Sequence, residues 1–206
     1  MLLSPLYGAS YSMLTDLGSS AEMIGRGTVE GFSRSSNTVF ENPASLYAID
    51  GLSASFFSST LMNEVNYTNI SLAWRHPNWG VFAFGYMASG VDGIPITYEI
   101  ISDNTGSIFK AFEDRSFEYK NTLYKLGYQY SINDRFHLGS TLSIYQNELH
   151  EIRGSGFGLD IGVLYNFNSA TISIQAKNII PQSVNYSTNK AIKRDTGNSM
   201  DTLTQV

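Results

Sequence analysis

The sequence predicts an all-β protein, and we expect an antiparallel transmembrane β-barrel. Three observations predict it: long stretches in which apolar residues alternate with small polar ones, a charged fraction of only 15%, and an aromatic fraction of 13%. An average soluble domain carries roughly 25% charged residues. Strands of outer-membrane barrels alternate in this way because one face contacts lipid while the other faces a polar lumen. A soluble β-domain stays open as the alternative.

The first fifty residues differ from the rest because they are dense in Ser, Gly and Asn. Ser19 and Ser20 precede Glu22, which favours a short capped helix that Gly25 and Gly27 would end. Asn42, Pro43 and Ala44 form a stiff corner, since proline fixes its own φ and keeps the preceding residue extended. We therefore predict that residues 1–50 form a luminal, plug-like segment.

From Leu52 onward the period is two, which predicts strands joined by short turns. We expect antiparallel barrel strands over residues 51–180 and an irregular long loop over 91–116, where Gly93, Pro95 and Gly106 interrupt the pattern. Residues 181–206 read as a polar loop. The predicted strands lie near residues 52–56, 65–75, 80–90, 119–130, 136–145, 154–167 and 170–178.

The polar face of these strands carries Gly, Ser, Thr, Gln and Asn and few charges. Glycines that alternate with large apolar residues suit a wall that a plug or a ligand approaches closely. We predict lumen-facing polar side chains at Lys125, Asp160, Gln175 and Lys177. A carboxylate such as Asp160 needs a partner there, either within the protein or on a substrate. Aromatic residues near strand ends predict a membrane-interface girdle: Trp74, Trp79, Tyr86, Tyr128 and Tyr165.

We expect no catalytic site, no metal site and no cofactor. His76, His137 and His150 are scattered without ligand spacing, and no nucleophile motif accompanies them. The chain has no cysteine, which excludes a disulfide scaffold and thiol catalysis. Its net charge of -5 provides no basic surface, so we do not expect nucleic acid as a partner. Glu22, Arg26 and Arg34 are expected to pair with charges on the barrel wall.

Two segments carry a family resemblance. Residues 19–46, with Gly25, Gly27, Asn42-Pro43-Ala44 and Leu46, resemble the N-terminal signature of the PorV/PorQ and UPF0164 group, which is related to FadL-like fatty-acid transporters. The stretch GSGFGLDIGVLYNF followed by ISIQAKNI is similar to the group's Gly-x-Asp-x-Gly strand and the strand after it, with matches at Gly158, Asp160, Gly162, Tyr165 and Asn178. The resemblance implies a barrel of roughly fourteen strands in the outer membrane of a Gram-negative-type bacterium. We therefore expect seven or eight of those strands here, in an N-terminal fragment.

Three functions follow as expectations. The FadL-like resemblance implies passive transport of hydrophobic small molecules, with outer-membrane lipid around the barrel. The resemblance to PorV implies instead a docking or shuttle component that binds secretion-system proteins. A soluble β-sheet binding module is the third possibility.

Overall fold

The structure, a computed structural model, describes residues 18–101, 108–149, 152–180, 185–188, 193–196 and 199–202. The N-terminal segment, residues 18–50, contains α1 (Ala21–Gly25) and two short 3-10 helices (Ser36–Val39 and Pro43–Ala48). The strands follow as β1 (Leu52–Leu61), β2 (Val65–His76), β3 (Gly80–Ile101), β4 (Ile108–Ser131), β5 (Phe136–Leu149), β6 (Ile152–Asn166), β7 (Thr171–Ala176), β8 (Asn185–Thr188), β9 (Lys193–Thr196) and β10 (Ser199–Thr202).

One antiparallel sheet organises the described chain. Strands β1 to β7 pair in chain order, and the sheet curls into the form of half a barrel. Strand β8 pairs with β6 on the same edge as β7, while β9 and β10 pair only with each other. The all-β prediction is confirmed. Among the described residues, no helix is long and apolar enough to cross a membrane.

The prediction of an irregular loop over residues 91–116 was wrong for its described part. Strand β3 continues to Ile101, and β4 already begins at Ile108, so the two form a long hairpin. Two register shifts, between Val91 and Ile94 and between Pro95 and Thr97, absorb the glycine and proline that were expected to end the strand. Gly93 has φ +72°, a conformation that suits a bulge.

The two faces of the sheet have opposite chemistry. We call the face that contacts the N-terminal segment the inner face and the opposite one the outer face. Large apolar side chains are exposed on the outer face, such as Phe56 at 71%, Leu126 at 53% and Ile174 at 64%. Polar and small residues are buried on the inner face, among them Asn69, Ser71, Lys125, Gln129, Thr141, Ser143 and Asp160.

The apolar core lies between the N-terminal segment and the inner face. Val39, Phe40, Leu46 and Ile49 come from the segment and are buried. We call strands β1 to β7 the wall. The partners of the segment come from several strands of the wall: Tyr67, Ala73, Val81, Ala83, Met87, Leu123 and Tyr145. The segment therefore folds as part of the same core as the wall, and it contacts the inner face of the sheet from β1 to β7.

Candidate functional site

The contact between the N-terminal segment and the wall is the candidate site, and local capping shapes the segment. Ser20 accepts a hydrogen bond from the Met23 amide at 3.1 Å and so caps α1, as the sequence predicts. Asn42 Oδ1 accepts from the Ala44 amide at 2.9 Å and starts the second 3-10 helix, with Pro43 in its first turn. The Asn42 amide group reaches the wall, donating to Ser173 Oγ at 2.7 Å. The Asn-Pro-Ala corner is therefore both a turn and a wall contact.

Wall glycines make room for the segment. A Cβ at Gly85 would lie 2.5 Å from the Phe40 ring, and one at Gly127 would lie 2.9 Å from Val39 Cγ2. A Cβ at Gly139 or Gly162 would overlap residues 42–44, at Gly139 their backbone and at Gly162 the Asn42 side chain. A Cβ atom essentially never lies within 3.0 Å of such an atom in a real protein. The segment therefore fits only because these four positions lack side chains. The sequence-based expectation that alternating glycines admit a close approach to the wall agrees with this geometry.

Glu41 closes the N-terminal segment into a loop. Its carboxylate accepts hydrogen bonds from Ser19 Oγ at 3.0 Å and Ser33 Oγ at 2.9 Å through Oε1, and from the Gly31 amide at 3.0 Å through Oε2. Burial raises the pKa of Glu41, while these three donors act in the opposite direction. Its carbonyl accepts from Gln175 Nε2 at 2.7 Å, which ties the loop to β7. The carboxylate is fully buried, so it links two distant parts of the segment away from solvent.

Lys125 and Asp160 form a buried ion pair on the inner face. Lys125 Nζ lies 2.6 Å from Asp160 Oδ2, and each side chain is 2% exposed. Asp160 Oδ1 also accepts from the Asn178 amide at 2.9 Å. Asn178 has φ +52° and follows the end of β7. Asp160 therefore has partners within the wall, of the kind expected for a structural carboxylate.

The other predicted lumen-facing residues join the segment to β7 or to the chain that follows it. Lys177 Nζ lies 2.6 Å from Glu30 Oε1, and this pair is partly exposed. Gln175 binds the carbonyl of Glu41. The structure thus brings Asp160, Lys125, Gln175 and Lys177 to the side of the sheet that the N-terminal segment covers.

One expectation for the segment agrees with the structure and one fails. Gly25 is the last residue of α1 and Gly27 follows it, as expected, and a Cβ at either position would have no atom within 4 Å. Arg26 binds Glu22, one helical turn earlier, at 2.5 Å, instead of a charge on the wall. Both residues of that pair are exposed, and an i,i+4 pair forms locally without help from the wall.

Four of the five predicted girdle aromatics lie near the end of the sheet with the short turns. Tyr128 Oη donates to the Trp79 carbonyl at 2.8 Å, which links two adjacent hairpins. Trp74 is opposite Phe82 in the ladder, and Tyr165 is opposite Phe136. Tyr86 lies further along β3, away from the other four. Its ring packs against the Tyr124 ring, with the two ring centroids 5.4 Å apart.

A second contact holds the end of the N-terminal segment at the short turns. Arg75 donates to the carbonyls of Ile49, at 2.6 Å, and Tyr47. The Tyr47 ring stacks on His137 at 3.9 Å. His137 in turn contacts Ser131 at 2.8 Å and Asn166 at 3.2 Å. This network joins β4, β5 and β6 beneath the segment and gives His137 a structural role.

The main residue that sequence reasoning missed is Glu41. Its position directly before the Asn42-Pro43 corner, as the only acidic residue between Glu30 and Asp50, is the signal that could have found it. The wall positions Gly85, Gly127 and Gly139 were missed because their partners are distant in sequence. Among the described residues, no three His, Cys, Asp or Glu side chains come together as metal ligands.

No family model, curated protein or solved structure matches this chain.

Proposed function

We propose that this chain forms part of the wall of an outer-membrane β-barrel and that its N-terminal segment closes the lumen. The opposite chemistry of the two faces carries this proposal. A soluble sheet keeps large apolar side chains off its solvent-exposed face, whereas the exposed outer face of this sheet is apolar and the covered inner face holds buried polar and charged side chains beside its apolar core. Lipid is the surrounding that makes an exposed apolar face favourable.

The extent of the apolar outer face supports the proposal. Across six strands the ladder aligns Phe56, Ile70, Tyr86, Tyr124, Ile144 and Phe157. Two residues further toward the long hairpin, the aligned row is Ser58, Thr68, Ala88, Thr122, Gln146 and Ser155. We call the apolar part of the outer face the apolar band. It changes to a polar surface between two adjacent outer-face rows, which are two residues apart on each strand.

The height of the band fits a bilayer. On β6 it runs from Phe157 to Tyr165, which at about 3.3 Å per residue is about 26 Å along the strand. A strand tilt of roughly 40° reduces this to about 20 Å along the membrane normal, near the roughly 25 Å band of outer-membrane barrels. Short turns lie at one end of the band and the long β3–β4 hairpin at the other, as periplasmic and extracellular ends do in such barrels.

The cargo that fits this proposal is a hydrophobic small molecule that crosses passively. The FadL-like sequence resemblance supports that cargo class, and a lumen closed by its own N-terminal segment suits it. The cavity beside the segment, lined in part by Phe32, Tyr47 and Leu164, has a volume of about 80 Å³. Ligand pockets usually exceed about 300 Å³, so passage requires the segment to move.

The second candidate is docking of a secretion-system protein, which the β3–β4 hairpin favours. Pairing of β3 with β4 continues to Ile101 and Ile108. Pairing with the flanking strands ends at Val91 on β3 and at Tyr119 on β4. The hairpin beyond those residues is a two-stranded ribbon that extends past the sheet.

Membrane location is tested by expressing the protein in a Gram-negative host and labelling single-cysteine variants. The chain has no cysteine of its own, so each variant carries one thiol. We expect nitroxides on lipid tails to quench a fluorophore attached at Leu126→Cys or Leu142→Cys. Thr141→Cys lies on the inner face of β5, and we expect it to be protected. Reaction of Leu126→Cys and Leu142→Cys with a water-soluble reagent, while Thr141→Cys stays protected, would favour the soluble binding module.

Transport is tested in cells that lack their own fatty-acid porin. We expect the protein to raise uptake of a fluorescent long-chain fatty acid and to leave uptake of a sugar unchanged. A protein that reaches the outer membrane without raising uptake contradicts the transport proposal. Loss of binding to a purified secretion component when the β3–β4 ribbon is shortened would then support docking.

A further inference from the structure

The N-terminal segment is held in two different ways along its length. Every residue from 36 to 46 is buried, and this part supplies apolar core residues such as Phe40. From residue 21 to residue 30, only Met23 is buried. Burial of apolar surface is the dominant favourable contribution to folding. The two parts of the segment should therefore differ in how easily they leave the wall.

The more exposed part is a loop whose two ends meet at Glu41. Ser19 Oγ and Ser33 Oγ donate to the same carboxylate oxygen, Oε1, at 3.0 and 2.9 Å. The Gly31 amide donates to the other oxygen, Oε2. A surface loop whose ends lie this close together is an Ω-loop, a compact unit within a larger fold. We call residues 20–33 the flap.

Hydrogen bonds and an ion pair tie the flap to the rest of the described chain. Besides the bonds to Glu41, Ser45 Oγ donates to the Gly31 carbonyl at 2.5 Å. Lys177 Nζ, just after β7, lies 2.6 Å from Glu30 Oε1. The apolar core that the described residues build contains no member of the flap. Opening the flap therefore breaks these polar contacts and leaves the core intact.

The flap forms one side of the cavity beside the segment. Phe32 lines this cavity from the flap, whereas Tyr47 lines it from the second 3-10 helix and Leu164 lines it from β6. These sides belong to parts of the molecule that are held differently. A movement of the flap alone would therefore enlarge the cavity without displacing the helix or the wall.

We propose that the flap opens by itself while residues 36–49 stay in the wall, and that the Lys177–Glu30 pair is the latch that holds the flap closed. The latch is partly exposed, and exposed ion pairs contribute little free energy, so it can open readily. Departure of residues 36–49 would instead expose the apolar core. This inference rests on the proposed function for its consequence, which is that the flap is the part that moves when cargo passes.

Distances between spin labels on pairs of cysteines test the flap in purified protein in detergent. The chain has no cysteine of its own, and Val29→Cys on the flap, Asp50→Cys after the segment and Ile172→Cys on β7 replace exposed residues. We expect two Val29–Ile172 distances, of which the longer reports the open flap. Glu30→Gln should make the longer distance about two- to fivefold more populated, which is the factor that loss of an exposed ion pair allows. The Asp50–Ile172 distance should stay single in both proteins.

Glu22→Gln is the matched control, because Glu22 is an exposed acid of the flap that pairs with Arg26 inside α1. It should leave both distances and their populations unchanged, and a shift as large as that of Glu30→Gln would overturn the latch. A single Val29–Ile172 distance in Glu30→Gln overturns the flap. A second Asp50–Ile172 distance also overturns it, because the whole segment then moves. These distances require no transport, so the flap can fail while the uptake assay succeeds, and the reverse.

Discussion

Lys125 and Leu126 are neighbours in sequence and have opposite surroundings. Leu126 is 53% exposed on the outer face, whereas Lys125 is 2% exposed on the inner face, paired with Asp160. The same inversion holds on β2, where Leu72 is 47% exposed and Ser71 is buried. The inner face is specific because Lys125 pairs with Asp160 and because several of its glycines admit particular residues of the N-terminal segment. The outer face is nonspecific, since any large apolar side chain serves there. Substitutions should therefore act differently on the two faces.

The largest effect is expected on the inner face, at the ion pair. Lys125→Ala leaves Asp160 buried without its counter-charge, and we expect it to destabilise the folded protein by about 3–5 kcal/mol. Urea unfolding in detergent micelles measures this loss. The matched control is Lys125→Met with Asp160→Asn, which removes both charges and should recover most of the stability. A single variant as stable as the double would mean that the pair contributes nothing.

The second effect is expected on the outer face, and it separates a lipid-facing sheet from a solvated one. Leu126→Arg should cost about 2–4 kcal/mol if Leu126 lies near the middle of a bilayer. On a protein surface in water the same substitution should change stability by less than about 0.5 kcal/mol. Refolding into detergent or lipid, followed by urea titration, provides the measurement.

Gln146→Arg is the control for that prediction, because Gln146 belongs to the polar row just beyond the apolar band and is exposed. It should be nearly neutral in either setting. Equal, small effects at both positions would contradict the membrane assignment of the outer face.

The third effect compares glycines that touch the N-terminal segment with one that does not. Gly139→Ala places a methyl group against the backbone of Pro43 and Ala44, and we expect a loss of about 1–3 kcal/mol, the usual range for overpacking. Gly25→Ala adds a methyl group in open space at the end of α1 and should be neutral or stabilise by up to about 1 kcal/mol. Thermal or urea unfolding of the two variants measures the difference. Equal effects would mean that the segment does not rest on the wall at Gly139.

These comparisons show what the sequence could predict. Alternation of side chains is a local property, so the start of β1 at Leu52 and the buried side of Lys125 and Asp160 followed from reading the chain. The long β3–β4 hairpin did not, because Gly93 and Pro95 normally end strands and only pairing with β4 carries the chain through them. The wall contacts of Gly85 and Gly139 were equally out of reach, since they depend on which distant residues the folded segment brings close.

The smallest effect concerns Glu41 and depends on pH. Burial raises the pKa of this carboxyl above its ordinary value, so the folded protein binds its proton more tightly than the unfolded chain does. The stability that protonation contributes is fully present below the unfolded pKa, about 4.3 for glutamate. It is lost as pH rises through the raised folded pKa. The urea midpoint should therefore fall across that window in the wild-type protein.

Glu41→Gln should remove this dependence because glutamine carries no titrating proton at any pH in the window. Repulsion from Glu30 raises the pKa of Glu41 in the same direction as burial, and Lys177 pairs with Glu30. Lys177→Met therefore serves as the control: it leaves Glu30 unpaired and should steepen the fall instead of abolishing it. A slope that survives Glu41→Gln would assign the titration to another group, and the buried carboxylate would then close the N-terminal segment at every pH in the window.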